Sequence, residues 1–341
     1  MRHRSSILTE PEIVAAGAVT AALVVAAITN IIMAKRAERS NPPKGRFVKV
    51  DGVHLHYVEF GDGDPIVLLH GNGSMIQDFE SSGLIEGAAR NHRVVVFDRP
   101  GFGHSNRPRR RVWTADAQAD LIYKAMRRMS LGRAIILGHS WGASVAVAMG
   151  LKHPDAVAAL VLASGYYYPD VRPSVAMLSA PAVPVFGDLI RYTISPILSR
   201  ALWPSLLRKI FGPAHVPPKF AAFPKEMAFR PSQIRASAAE AALMIPGALA
   251  VESSYRKLKM PVVIVAGQQD RLINSEEQSA RLHEDIPQST FQRIRGAGHM
   301  VHQTATLEVL AAIETASTAA FPQQKNGSER YSRTLDGLDN S

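Results

Sequence analysis

The longest uninterrupted apolar stretch runs from Ile13 to Ala34 (IVAAGAVTAALVVAAITNIIMA), 22 residues without a charge. As a helix rising about 1.5 Å per residue it reaches about 33 Å, enough to cross a bilayer core. The pattern predicts an uncleaved membrane-spanning helix over 13–34. A secretory signal peptide is the rival. Glu10 and Glu12 directly before the run, its length, and the lack of a small-x-small cleavage site near IIMAKR argue against that rival. Arg2 and Arg4 lie within the flank 1–12, and Lys35, Arg36, Arg39, Lys44 and Arg46 fall in a basic linker over 35–46. That Lys/Arg bias favours the cytoplasmic side for everything that follows. Pro42-Pro43 and Gly45 within SNPPKG end the helical signal.

Beyond the linker the pattern shortens. FVKV and VHLHYVEF flank Asp51-Gly52, a favoured two-residue hairpin turn. PIVLLH (65–70), RVVVFD (93–98), RAIILG (133–138), AALVLA (158–163) and PVVIVAG (261–267) are continuous apolar runs, the mark of strands buried on both faces of a parallel sheet. TFQRIR (290–295) alternates and suits an edge strand. Helical stretches separate the runs, such as TADAQADLIYKAMRRM, where Thr114 supplies a cap and Asp116 a first-turn acid. Alternating β and α segments predict an α/β fold, a mostly parallel sheet with helices on both faces. The core is expected over 47–165 and 247–321.

Residues 166–246 break the alternation and hold 12 of the 22 prolines. VFGDLIRYTISPILSRALWPSLLRKIF reads as short amphipathic helices punctuated by Pro196 and Pro204, an inserted helical lid. Its apolar residues form either the core of the lid or a lipid-facing surface. The tail 322–341 is polar and aperiodic, the composition of a disordered segment.

Composition narrows the partners. Of the 341 residues, 46% are hydrophobic and 20% charged, and the absence of cysteine excludes disulfides and thiolate metal sites. A net charge of +10 could serve nucleic acid or an anionic membrane surface. No aromatic-basic RNA motif or zinc-finger spacing is present, so nucleic acid is not expected and a membrane surface is. The arginines of NRPRRR, Arg107, Arg109, Arg110 and Arg111, have no role legible in the sequence beyond staying solvated.

Ligands of parallel α/β sheets bind beyond the carboxyl ends of the strands. Ser140 in ILGHSWGAS follows one such end and opens a helical segment, with Gly138 and Gly142 permitting a sharp turn. A serine hydroxyl needs a base to take its proton. His299 in RGAGHMVHQ follows the last strand, with His302 as its nearest rival. His139 is expected to pack or bond locally, and His54, His56, His92, His153, His215 and His283 have surface or core explanations. Asp270 in VVIVAGQQDRLI is placed to orient the base, with Asp170 as an outside alternative. Backbone N–H groups of Trp141 and of Asn72, in HGNGS (70–74), would hold a developing oxyanion.

From about Phe47 to Phe321 the chain resembles the α/β-hydrolase superfamily of lipase- and esterase-like enzymes. HGNG, DRPGFGHS (98–105), GHSWG, GQQD and GAGH occur in that family's order and at its strand ends. The resemblance implies an eight-stranded, mostly parallel sheet, a lid after the sixth strand, and hydrolysis without a cofactor. DRPGFGHS then reads as a structural turn beside the pocket. The HGN and x-Trp-Gly pairing is also similar to haloalkane dehalogenases, where those positions hold the departing halide. That chemistry needs a carboxylate nucleophile, and an alkyl ether on Ser140 would be a dead end, which excludes dehalogenase and epoxide hydrolase chemistry. The expectation is a membrane-anchored serine hydrolase acting on small-molecule or lipid esters. Carbon–carbon bond hydrolysis, cofactor-free perhydrolysis, and a non-enzymatic receptor on the same fold are the alternatives.

Overall fold

The computed structural model describes residues 9–170 and 178–321. Arg2, Arg4 and the tail 322–341 lie outside the described residues. The chain begins with helix α1 (Glu10–Ser40), whose start is closed by a capping box between Thr9 and Glu12. The two glutamates that disfavour a signal peptide are thus first-turn acids, where the helix dipole favours them. The helix carries on past the apolar run to Ser40, so the basic residues Lys35, Arg36 and Arg39 sit on helix and the extended linker is confined to 41–45.

Eight strands follow in one sheet: β1 (Arg46–Val50), β2 (Val53–Phe60), β3 (Asp64–Leu69), β4 (His92–Phe97), β5 (Ala134–His139), β6 (Val157–Ala163), β7 (Val262–Gly267) and β8 (Ser289–Ile294). Their order is β1-β2-β4-β3-β5-β6-β7-β8. β1 and β2 pair antiparallel, β2 joins β4 antiparallel, and every pairing from β4 to β8 is parallel. Asp51 and Gly52 both take positive φ, 48° and 77°, as the β1–β2 hairpin turn requires. Every residue of β5, β6 and β7 is buried, which is why these strands read as unbroken apolar runs. β8 lies at the sheet edge with a mixed burial pattern.

Helices α2 (Ile76–Ser82), α3 (Leu84–Ala88), α4 (Ala115–Arg128) and α5 (Trp141–Lys152) cover the first half of the sheet. Thr114 caps α4 by accepting the Ala117 N–H at 3.1 Å, as its position predicts. Apolar side chains alternate along the strands into two cores, one on each face. Ile136, Leu160 and Ile264 point to the α4–α5 side, and Ile135, Val161 and Val263 to the other.

Among the described residues the lid holds helices α6 (Phe186–Tyr192), α7 (Ile194–Phe211), α8 (Lys225–Ala228) and α9 (Pro231–Val251). Here the structure corrects the sequence. Pro196 and Pro204 do not divide the segment, because both lie within the single 18-residue helix α7. Pro196 falls in the first turn, where the missing N–H costs nothing, and the helix tolerates Pro204 in its interior. α9 likewise runs through Pro246 to Val251. Helices α10 (Arg281–Asp285), α11 (Val301–Thr304) and α12 (Thr306–Ala320) are the last among the described residues.

α1 docks on the lid through its last turns. Asn30, 3% exposed, donates to the carbonyls of Tyr192 and Thr193 at 2.9 Å each, and Arg230 reaches Glu38 at 2.8 Å. From Glu10 to Thr29 no residue of the helix is buried and most are exposed.

Candidate active site

Since β3, β5, β7 and β8 run parallel, the segments that follow them emerge at one edge of the sheet. Asn72 follows β3, Ser140 follows β5, Asp270 follows β7 and His299 follows β8.

Ser140 sits at φ 54°, ψ −120°, a conformation that few non-glycine residues adopt. Its backbone is pinned on both sides, by Ser140 N–H to Ala163 O at 2.9 Å and Ala143 N–H to Ser140 O at 3.0 Å. The turn is too tight for side chains at its flanks. A Cβ on Gly138 would lie 2.5 Å from Ala143 Cα, and one on Gly142 would lie 2.7 Å from His70 O. The turn therefore presents Ser140 at the start of α5, where unpaired N–H groups and the helix dipole favour negative charge.

The second pair of segments meets backbone to backbone. A Cβ on Gly267 would lie 2.5 Å from Ala297 O, and Gln269 N–H bonds Ala297 O at 3.1 Å. This approach sets Nδ1 of His299 2.7 Å from Oδ2 of Asp270, with 4% and 2% of the two side chains exposed. The other Asp270 oxygen accepts the N–H groups of Leu272 and Ile273 at 2.7 and 2.9 Å. Both carboxylate oxygens are thus satisfied, and the ring of His299 is oriented with Nε2 left for another partner. Asp170 takes no part in this pair. His302, the rival base, bonds instead to Asp78 at 2.9 Å and is fully buried. Burial alone would raise the Asp78 carboxyl, but His302, His139 and the Gln303 amide outweigh it and hold it well below the ordinary carboxylate range.

His139 joins the two halves. Its Nε2 lies 3.0 Å from the carbonyl oxygen of His299, and the two rings sit 5.0 Å apart. Burial, then the neighbouring His302 and His299, push its pKa far down and keep it neutral. Among the described residues no hydrogen bond reaches the Ser140 hydroxyl. In unliganded enzymes such bonds are often loose and tighten on substrate. The N–H groups of Asn72 and Trp141 also bond nothing among the described residues, as free oxyanion donors would.

A cavity of about 230 Å³ adjoins the start of α5, lined by Trp141, Ser144, Tyr166, Tyr167, Leu243 and Met244 among others. Its walls are mostly apolar and partly supplied by the lid helix α9.

Two residues at this edge escape sequence reasoning. Arg99, inside the DRPGFGHS turn, and Glu240, inside SAAEAALM, are both fully buried and pair at 2.5 Å. The signal was there in Glu240, a lone acid in an apolar helical segment, which must find a partner if buried. The arginine run also has partners. Arg107 lies 3.8 Å from Glu240, and Arg109 reaches Asp188 of α6 at 3.4 Å.

The sequence model of a family described as the alpha/beta hydrolase fold matches residues 64–306. Among curated proteins, the chain is 24% identical over 240 residues to the 2-hydroxymuconate semialdehyde hydrolase of Pseudomonas sp. strain CF600, covering 70% of this chain and 81% of that one. Among solved structures it is similar to a thermophilic esterase from Thermogutta terrifontis, with TM-score 0.66, 24% identity, and coverage of 80% and 97%. A membrane phospholipase A described as a bacterial virulence factor superimposes with TM-score 0.58 and 20% identity, over 96% of this chain and 98% of its own. At these identities the solved structures establish a shared fold.

Proposed function

Because the chain belongs to the alpha/beta hydrolase family, we propose that it is a membrane-anchored serine hydrolase cleaving carboxylic esters of lipophilic acids. The observation that carries the chemistry is the buried His299–Asp270 pair at 2.7 Å, at the same sheet edge as a serine in a strained turn at a helix N-terminus. In the proposed cycle His299 Nε2 takes the Ser140 proton as the hydroxyl oxygen attacks the ester carbonyl. The N–H groups of Asn72 and Trp141 hold the oxyanion, and Asp270 stabilises the imidazolium. Collapse expels the alcohol, which receives the proton from His299. Water, deprotonated by the same imidazole, then attacks the acyl-enzyme and releases the acid and Ser140. No cofactor is required.

Lipophilic substrates and a membrane location rest on three features. The first turns of α1 are bare and apolar, with Val14, Val19 and Val25 at 60% exposure or more. The lid helices α6 and α7 expose Leu189, Ile197, Leu198 and Leu202. The cavity at the start of α5, reached by Trp141 and Ser144 rather than by Ser140 itself, is walled largely by apolar groups, several of them from α9. Beyond these three, the similarity to a membrane phospholipase A spans 96% of this chain, so at least half of α1 falls within it. In this proposal 13–34 spans the bilayer, 47–165 with 247–321 forms the catalytic core on the cytoplasmic side, and 166–246 forms the lid, whose last helix α9 runs on into the core segment as far as Val251.

A second reading, hydrolysis of a carbon–carbon bond by the same three residues, is favoured by the similarity to a semialdehyde hydrolase. The test is a series of p-nitrophenyl esters from acetyl to palmitoyl, presented in mixed micelles to the detergent-solubilised full chain. A rate maximum at medium or long chains supports the lipid ester proposal. A clear preference for acetyl removes it, and turnover of dienoic semialdehydes faster than any ester favours the second reading.

A further inference from the structure

The guanidinium of Arg99 lies between two parts of the molecule. On one side Nε donates to His70 O at 2.7 Å and Nη2 to Gly71 O at 2.9 Å. On the other, Nη1 and Nη2 meet the two carboxylate oxygens of Glu240 on the lid helix α9, at 2.5 and 3.1 Å. Gln118 completes the group, accepting from Arg99 and donating to Glu240 at 2.9 Å each. All three side chains are fully buried.

The Gly71 carbonyl, which accepts from Arg99 Nη2 and also from His70 Nδ1 at 2.8 Å, belongs to the peptide joining Gly71 to Asn72. In a planar trans peptide the C=O and N–H point in opposite directions. Drawing Gly71 O toward Arg99 therefore turns the Asn72 N–H the other way. Gly71 itself packs against the nucleophile, since a Cβ there would lie 3.1 Å from Ser140 Cβ. The same lid helix grips the loop twice more. Ser237 O accepts from Asn72 Nδ2 at 3.1 Å, and Gln233 Nε2 lies 3.4 Å from the carbonyls of both Gly73 and Ser74.

We propose that Arg99 is a positioning residue that aims the Asn72 N–H at the oxyanion, and that it is held in this pose by Glu240 of the lid. The lid is then part of the catalytic machinery, and an enzyme whose α9 has lifted away would bind substrate but stabilise its transition state poorly. This inference rests on the serine hydrolase proposal. It concerns orientation, so its signature is a loss in the chemical step without a loss in binding.

The test uses the detergent-solubilised full chain and a fluorophosphonate probe, separating the inactivation rate constant from the reversible binding constant of the probe. Glu240→Gln keeps the shape of the side chain but leaves Arg99 without its counter-charge. The inactivation rate constant is expected to fall about 10²-fold, the scale of losing one oxyanion donor, with reversible binding unchanged. Breaking a buried ion pair can unfold a protein, so the double variant Arg99→Met/Glu240→Met is the second arm. It removes both charges together and should remain folded. If the pair only braces the fold, the double variant regains the wild-type rate, which overturns the proposal. If Arg99 aims the donor, the double variant melts normally and stays slow. Arg109→Gln, which releases the exposed contact between Arg109 and Asp188 of the lid, is expected to react as wild type. A folded Glu240→Gln variant with an unchanged rate constant, or one weakened only in reversible binding, would also overturn the inference. Wild type that labels yet cleaves no ester removes the ester proposal and leaves this one decided by the labelling rates.

Discussion

Gly142→Ala is the substitution whose outcome the geometry fixes most tightly. A Cβ at this position would stand 2.7 Å from His70 O and closer still to Leu69 O, both backbone atoms at the end of β3. Carbon–oxygen contacts settle at about 3.3 Å, so α5 must retreat from β3 by well over half an ångström. Neither side yields cheaply, because β3 is paired on both edges and α5 is buried along most of its length. Overpacking of this kind costs about 1–3 kcal/mol, and for a domain of this size each kcal/mol lowers Tm by about 2–4 °C. The catalytic cost is larger. The retreat carries the Trp141 N–H and Ser140 away from the loop bearing Asn72, and a misplacement approaching about 1 Å costs about 10²-fold in rate. Purified Gly142→Ala should therefore melt several degrees lower and lose about two orders of magnitude in kcat/KM on the best p-nitrophenyl ester. Gly132→Ala, where a Cβ meets nothing within 4 Å, is the control and should match wild type. A Gly142→Ala enzyme with wild-type melting and kcat/KM would refute this account of the turn.

Other substitutions probe different parts of the molecule. Asp270→Asn keeps an oxygen for the Leu272 and Ile273 N–H groups, so it should fold normally, yet it should lower kcat by about 10⁴; retention of more than a tenth of the activity would contradict the orienting role. Removing residues 1–29 leaves Asn30 and Glu38 to dock on the lid, so the shortened chain should stay active and leave the membrane pellet on alkaline carbonate washing, where the full chain remains. Retention of the shortened chain in the pellet would show that α1 is not the anchor. His70 gives a pH prediction. Burial, then the charge of Arg99, push its pKa down to about 3, whereas in the unfolded chain it takes up a proton below 6.5. The folded state binds fewer protons in that window, so stability present above pH 6.5 is lost as pH falls, by up to about 1.4 kcal/mol per pH unit. Urea melts at pH 7 and pH 5 should show a loss about 2 kcal/mol smaller in His70→Asn than in wild type, and equal losses would contradict the shift.

The strands and the edge of the sheet were legible because their signals are local. Buried parallel strands need unbroken apolar runs, and the turn at Ser140 needs glycine where helix and strand backbones nearly touch. The same close approach of backbones recurs at Gly267, whose missing side chain lets the Asp270 and His299 loops meet, and at Gly298, whose missing side chain admits the lid backbone at Phe211 and Gly212. What stayed hidden depends on partners far away in sequence. Pro196 and Pro204 read as helix breaks, but one occupies a first turn and the other is carried by the packing of α7 within the lid. Asn30 looked like one more residue of a spanning segment, and only the carbonyls of Tyr192 and Thr193 show it to be a docking point. Arg99 lay inside a motif that read as a structural turn, and the bond that gives it meaning comes from Glu240 in the lid.

The central claim is that Ser140 is a nucleophile activated by His299. Incubating the full chain with a fluorophosphonate and mapping the adduct by peptide mass spectrometry tests it most directly. The account predicts one modified residue, Ser140, with labelling abolished in Ser140→Ala and strongly slowed in His299→Ala. A well-folded wild-type protein that takes no label, or a Ser140→Ala variant that labels as fast as wild type, would contradict it.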